Sequence, residues 1–209
     1  MKNQNPENKI YEIASKQGGY FTAWQAKKAG FIETNHPYHV QKGNWIREWR
    51  GIYRLVRYPI QDDSQFALWS IWAMNRKGEM QGIYSHETAL ALFDLSDAMP
   101  EKLHITVPRS FRRHSQIPQI LHIHFGENNP GDFEERQGYR VTKPFKTVID
   151  LIRIRSTSPE IINQAIKQAL DKGYITRSQI PQLMEMPRIG FKIKEIMGES
   201  SNSNFDPQD

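Results

Sequence analysis

The 209-residue chain contains no cysteine, which excludes disulfide bonds and thiolate metal sites. It also lacks any apolar run close to the ~18 residues that a membrane-spanning helix requires. The segment Met1–Lys9 is polar and has no apolar core of a secretory signal. These absences predict a cytoplasmic protein that does not bind a membrane.

Common catalytic motifs are absent as well. The chain has no Walker A loop, no Gly-x-Gly-x-x-Gly turn and no Gly-Ser-x-Asp motif of a nucleotidyltransferase. The acid–x–lysine spacing of a Mg²⁺-dependent nuclease occurs at Glu7–Lys9, in a predicted helix and away from any aspartate-bearing sheet. We therefore predict no catalytic residues and no cofactor, and a nuclease is the weakest alternative.

Positive charge is concentrated at the N-terminal end. The whole chain has a formal net charge of +5, whereas residues 1–60 hold ten Lys and Arg against four Glu, a net charge of +6. A basic module joined to a nearly neutral body is typical of a protein that binds a polyanion such as nucleic acid.

The pattern within this basic segment predicts three helices and a hairpin. Helices are expected over 6–17, over 23–29 with Thr22 as N-cap, and from Thr34 or Asn35 to Lys42. The stretch WIREWRGIYRLVRY alternates around Arg50-Gly51, which predicts two short strands and a tight turn. This order is that of a winged helix-turn-helix, predicted to occupy residues 1–59.

The pattern of the remaining residues predicts a second domain, of α+β class, over residues 62–190. It is expected to have a small antiparallel sheet and C-terminal helices. The polar segment 198–209 predicts a disordered tail. Helices are expected at 65–74, 85–92, 144–154, 158–172 and 176–185, and strands at 103–107, 120–125 and within 133–141.

Four blocks in order resemble the AbiEi antitoxins of type IV toxin–antitoxin (abortive infection) systems. They are GGYFTAWQAKKAG, GNWIREWRGIYRL, IYSHETALALFDLSDAMPEKLHITVP and VTKPFKTVIDLI, and together they span about residues 8–152. The resemblance implies a transcriptional autorepressor whose second domain neutralises a cognate nucleotidyltransferase-like toxin. The alternative is a stand-alone winged-helix transcription factor whose second domain senses a small ligand.

A winged helix-turn-helix places its third helix in the major groove of duplex DNA. There Asn35 and Gln41 can pair with adenine, and Lys42 can reach guanine or phosphate. Arginines of the wing would contact phosphates, and paired operator half-sites would supply affinity. Val40 is assigned to the core, whereas Tyr38 fits either core or interface. The residues predicted to bind DNA are Thr34, Asn35, His36, Tyr38, His39, Gln41, Lys42, Arg47, Arg50 and Arg54.

Three further groups in the second domain could carry function. The loop PRSFRRHS clusters Arg109, Arg112 and Arg113 around Phe111 and is a candidate partner-binding surface. Residues Ser85, His86 and Glu87 suggest a hydrolytic triad, but consecutive helical residues diverge by about 100°. Ser85 is therefore interpreted as an N-cap.

Histidines are frequent on the predicted strands. His122 and His124 share one face at i, i+2, and His104 lies on the preceding strand. Two imidazoles could bind zinc, but the sequence shows no third ligand for that pair. We therefore predict no metal site.

Overall fold

The computed structural model describes residues 5–113, 115–154 and 157–185. The predicted tail at 198–209 lies outside these residues. The chain is an α+β protein with two sheets, and it divides into two compact units. The first unit extends to Ile83 and includes Val107–Phe111 and Glu135–Arg140. The second contains Tyr84–Thr106, Arg112–Glu134 and the chain from Val141 onward.

The first unit begins with the predicted succession of short helices and a hairpin. Its elements are α1 (Pro6–Ser15), β1 (Tyr20–Thr22), α2 (Ala23–Ala29), α3 (His36–Gln41), β2 (Trp45–Trp49), β3 (Ile52–Leu55) and α4 (Ser64–Trp72). A 3-10 helix at Glu33–Asn35 leads into α3. The strands form an antiparallel sheet of order β1-β3-β2. The short segment Tyr20–Thr22 between α1 and α2 is thus an edge strand of this sheet.

Local sequence explains the ends of α2. The Thr22 hydroxyl accepts a hydrogen bond from the Gln25 backbone N–H (3.1 Å), and the Gln25 carbonyl oxygen accepts one from the Thr22 N–H (2.8 Å). This reciprocal capping box satisfies two helix donors that would otherwise lack partners. At the other end Gly30 has a φ of +113°, a left-handed conformation that glycine adopts without steric cost.

The side chain of Trp45 lies in the core of the first unit. It packs with buried residues of the first two helices and of β1, namely Ile10, Ala14, Phe21, Ala26 and Ala29. Val40 borders this cluster, as predicted, and so does Tyr53. Tyr38, by contrast, is 54% exposed and does not belong to the core.

Helix α4 packs on β1 and β3, and its residues Ala67, Ile71 and Trp72 are buried. The boundary expected between residues 59 and 62 therefore falls inside the first unit. Polarity at Gln61–Gln65 suggested a linker, but the apolar helix that follows covers the sheet.

The elements after α4 match most of the predicted pattern. They are β4 (Ile83–Tyr84), α5 (His86–Phe93), β5 (Leu103–Val107), β6 (Leu121–Phe125), β7 (Phe133–Arg136), β8 (Tyr139–Thr142), α6 (Pro144–Ile154), α7 (Pro159–Asp171) and α8 (Ile180–Met184). A 3-10 helix, Arg177–Gln179, precedes α8.

The second sheet has the strand order β6-β5-β4-β8-β7. Strands β4 and β8 run parallel, with Tyr84 opposite Val141. The expectation of an antiparallel sheet is wrong at this pair. Parallel neighbours require a long connection, and here the connection includes α5, β5 and β6, whereas the sequence pattern revealed only hairpin-like neighbours.

Helices α5, α6 and α7 pack in sequence, α5 on α6 and α6 on α7. Their apolar faces meet at Leu90, Leu151 and Ile166, which are fully buried. Within the residues described, no helix is both long and apolar enough to cross a bilayer.

The approach of Gly19 to Tyr58 gives a stability prediction for the first unit. Gly19 has a φ of +89°, and a Cβ there would lie 2.5 Å from Tyr58 Cδ1. We expect Gly19→Ala to lower the free energy of unfolding by about 3 kcal/mol, from the left-handed backbone and the overlap together. Urea unfolding followed by tryptophan fluorescence measures it, because all five tryptophans lie in the first unit.

Gly43→Ala is the matched control. Gly43 is also left-handed (φ +70°), but a Cβ there would meet no atom within 4 Å. Gly43→Ala should lower the free energy of unfolding by about 1–2 kcal/mol, the cost of the left-handed backbone alone. Equal losses in the two variants would refute the role assigned to the Gly19–Tyr58 contact.

Candidate functional site

One face of the α3 segment is exposed. Thr34, Asn35, Tyr38, Gln41 and Lys42 are all solvent-accessible. Their spacing of three and four residues places them on the same side of the helical segment. Asn35 occupies the N-cap position of α3 but forms no side-chain cap hydrogen bond. The polar atoms of this face therefore remain available to an external partner.

The opposite face of α3 is buried. One residue of the predicted DNA interface lies on this buried face. His36 is only 2% exposed, with its ring 5.3 Å from Trp45 and 5.6 Å from Tyr53, measured between centroids. Burial lowers its pKa below the usual value. The prediction that His36 contacts DNA is corrected: His36 is a core residue. His39 is half-buried and stacks on Trp45 at 4.5 Å.

The hairpin formed by β2 and β3 carries two exposed cations. Arg47 lies on β2 and Arg50 lies in the turn beside Gly51, whose φ is +74°. A β-bulge between Arg47 and Trp49 twists the strand just before the turn. Within residues 5–113, neither arginine forms an ion pair or a hydrogen bond to another side chain.

Arg54 is a second correction. It is 7% exposed, and its Nε donates a hydrogen bond to Glu48 Oε1 at 2.7 Å. Tyr20 pairs with Arg54 across the sheet, and its pKa is raised by burial and by the nearby Glu48 carboxylate. The guanidinium thus neutralises Glu48 inside the sheet and is not a DNA ligand in this structure.

The Arg109 loop does not present the predicted arrangement of arginines around an aromatic ring. Arg109, Arg112 and Arg113 are exposed. Phe111, however, is 6% exposed, and its ring centroid lies 6.1 Å from that of Trp72. The loop therefore offers cations to a partner without an accessible aromatic side chain.

The start of α5 differs from the expected geometry. Ser85 stands at the N-cap position but makes no cap hydrogen bond. Its Oγ lies 2.8 Å from His86 Nδ1 and 2.7 Å from Thr106 Oγ1. Ser85 and His86 do not diverge by 100° as expected, because His86, the first residue of α5, has a φ of +54° in place of the helical value. Ser85 is fully buried, so it could not serve as an accessible nucleophile.

His86 joins the three strand histidines in one cluster in the second unit. Its ring stacks on His124 with centroids 3.7 Å apart. His124 Nε2 lies 3.1 Å from His104 Nδ1, and His122 stacks on both of these rings. One ring nitrogen each from His86, His104 and His124 lies within 4.8 Å of the others. The third ligand that the sequence did not reveal is thus present.

The cluster favours neutral imidazoles. Burial and neighbouring histidines, with Lys146, lower the pKa of His86 to about 2, and burial with His104 and His122 lowers that of His124 to about 4. Burial also lowers the pKa of His104, against the opposing effect of the Glu87 carboxylate. At neutral pH these three rings therefore keep lone pairs on one nitrogen each.

Sequence reasoning missed the cluster because its members come from three elements. The i, i+2 pair on β6 was visible, but the position of His86 depends on the contact between the start of α5 and β5. That contact includes the hydrogen bond from Ser85 N–H to His104 O (3.0 Å). The available signal was the number of histidines, four within residues 86–124 even without His114.

The burial of Arg54 leads to a test. We expect Glu48→Ala to lower the free energy of unfolding by about 1–3 kcal/mol, because the guanidinium would stay buried without its partner. Urea unfolding followed by tryptophan fluorescence provides the measurement. The double variant Glu48→Leu, Arg54→Met should recover most of the loss, since no buried charge remains.

The single variant Arg54→Met distinguishes the structural role of this arginine from the predicted role in DNA binding. If the protein binds DNA as the sequence predicts, this variant should leave the DNA affinity of the folded protein unchanged. If the variant binds DNA more weakly while its folded fraction is unchanged, Arg54 contacts DNA.

Comparisons with known proteins bear on the fold alone. No family model and no curated protein matches the chain. The chain is similar to a solved structure, the RV2827C protein from Mycobacterium tuberculosis, with a TM-score of 0.53 and 13% sequence identity. The match covers 88% of this chain and 73% of that one. This similarity concerns the α+β fold alone.

Proposed function

We propose that the N-terminal elements form a winged helix-turn-helix and that the protein is a transcriptional regulator that binds duplex DNA. The observation that carries the proposal is the presence of an exposed polar face on α3 together with two exposed arginines, Arg47 and Arg50, on the neighbouring hairpin. Element order supports the assignment: α1, β1, α2, α3 and a β2–β3 hairpin. In such folds the third helix enters the major groove.

Side chains on the exposed face of α3 can form hydrogen bonds with the edges of DNA bases. The amides of Asn35 and Gln41 each offer a donor and an acceptor, which matches the N6 and N7 atoms of adenine. Lys42 can contact guanine or a phosphate, and its Nζ lies 5.8 Å from the Tyr38 ring centroid. Thr34 and Tyr38 add hydroxyl groups to the same face.

The hairpin supplies contacts that do not depend on sequence. Arg47 and Arg50 are exposed and have no acidic partner among the residues that the structure describes, while the acidic Glu48 between them is neutralised by Arg54. The net effect is a hairpin that is positive along its accessible side. Such charges bind phosphates and set the position of the protein on the duplex.

The resemblance to AbiEi antitoxins extends the proposal to the second unit. On that basis the protein represses its own promoter and neutralises a nucleotidyltransferase-like toxin, with the arginines of the Arg109 loop as candidate partner contacts. A transcription factor whose second unit senses a small ligand is the alternative.

DNA binding can be measured by gel shift with the DNA upstream of the protein's own gene, at two salt concentrations. Arg50→Ala should weaken binding to every sequence and reduce the salt slope by about 0.9, the loss of one phosphate contact. Gln41→Ala should weaken binding to the preferred sequence by about 5- to 150-fold, with little effect on unrelated DNA.

Arg177→Ala is the matched control. It removes an exposed arginine of the second unit and should leave both affinity and salt slope unchanged. If wild type fails to shift the DNA at low salt, the proposal is wrong. If Arg50→Ala and Arg177→Ala behave alike, the hairpin is not at the interface.

The antitoxin role has a separate test, co-expression with a nucleotidyltransferase encoded beside the gene. Wild type and Arg50→Ala should both restore growth, because neutralisation would not require the hairpin. Failure of both would leave DNA binding intact and refute the antitoxin role.

A further inference from the structure

We infer that the second unit binds one Zn²⁺ ion through the imidazoles of His86, His104 and His124. This inference does not depend on the proposed DNA binding, because all three ligands and their supporting residues belong to the second unit. The fourth position of the ion is left for water or a further ligand, as in zinc sites with three protein ligands.

The three nitrogens are already nearly in place. A tetrahedral ion with Zn–N bonds of about 2.0–2.1 Å requires nitrogens about 3.3–3.4 Å apart. His104 Nδ1 and His124 Nε2 are 3.1 Å apart, and all three candidate atoms lie within 4.8 Å of one another. Side-chain rotation must bring the most distant pair, which is up to 4.8 Å apart, to this separation.

The surroundings select the tautomers that a metal needs. His86 Nδ1–H can donate to Ser85 Oγ, whose hydroxyl can then donate to Thr106 Oγ1, and this leaves the lone pair of His86 on Nε2. His104 Nε2 lies 3.8 Å from Glu87 Oε2, too far for a hydrogen bond but near enough for the carboxylate to favour a proton on Nε2, which leaves the lone pair on Nδ1. A carboxylate behind a ligating imidazole is a recurrent feature of zinc sites.

The backbone also supports this arrangement. The left-handed conformation of His86 (φ +54°) is uncommon for a residue with a Cβ. It is what brings the His86 ring onto His124. Glu87, the next residue, is held by a hydrogen bond from Thr157 Oγ1 to its Oε1 (2.8 Å). His122 stacks on the outside of the cluster and is exposed, so it is not assigned as a ligand.

Nitrogen-only coordination points to zinc among the common divalent ions. Three neutral imidazoles suit Zn²⁺, whereas Mg²⁺ and Ca²⁺ prefer oxygen ligands. Because each neutral imidazole carries one free lone pair, binding releases no proton from the cluster. It requires only that Nε2 of His124, which lies 3.1 Å from His104 Nδ1, be the unprotonated nitrogen of that ring.

The experiment uses the full chain without a polyhistidine tag, stripped of metal with a chelator. Zn²⁺ is titrated by calorimetry, and Co²⁺ is added separately as a spectroscopic probe. We expect one Zn²⁺ per chain with a Kd tighter than about 10 µM, a raised unfolding temperature, and visible Co²⁺ bands of tetrahedral intensity. Mg²⁺ should not bind detectably.

Variants assign the ligands. His124→Gln and His104→Gln should weaken Zn²⁺ binding at least 100-fold. His86→Asn should do the same, and asparagine tolerates the left-handed backbone, so the fold should survive. Glu87→Gln keeps the acceptor for Thr157 and should weaken binding about 10-fold through the orientation of His104. Far-UV circular dichroism establishes that each variant is folded.

His122→Gln and His39→Gln are the controls, one within the cluster and one in the first unit. Both should bind Zn²⁺ like wild type. Absence of stoichiometric Zn²⁺ binding to wild type would overturn the inference. So would unchanged binding in folded His124→Gln, or a loss in His122→Gln as large as that in the ligand variants.

Discussion

The aromatic packing around Trp45 holds together every part of the N-terminal module. The indole on β2 contacts Phe21 of β1 and Phe31 beyond α2, at centroid distances of 4.9 and 5.0 Å. It also contacts His39 of α3 and Tyr53 of β3. A single side chain thus fixes the orientation of the α3 segment relative to the hairpin. In the proposed function this orientation decides whether helix and hairpin can contact the same duplex.

That packing also divides the polar residues of the module into two groups. His36 and Arg54 have polar side chains but are buried, one against aromatic rings and the other in an ion pair with Glu48. Gln41 and Arg50 remain exposed on the helix and the turn. The net positive charge of the first 60 residues therefore overstates the charge that the hairpin presents to a phosphate, because Arg54 is paired with Glu48. In the proposed function, the absence of arginine from α3 makes the amides of Asn35 and Gln41 the main source of sequence preference.

Local features of this fold were predictable, and long-range ones were not. The N-cap at Thr22 and the hairpin turn at Arg50-Gly51 depend on residues within a few positions of each other, and both were predicted. The burial of His36 was not, because a six-residue helix is too short to show a periodic apolar face. The parallel pairing of β4 with β8 and the position of His86 depend on contacts between distant segments. Such contacts leave no local pattern in one sequence.

The left-handed backbone at His86 has a consequence for natural variation at this position. Among residues with a side chain, asparagine and aspartate fit that conformation most readily, and glycine fits it without cost. If the backbone alone were under selection, related chains would carry these residues at position 86. Persistence of histidine there, against the conformational preference, would identify the imidazole ring as the feature that selection maintains.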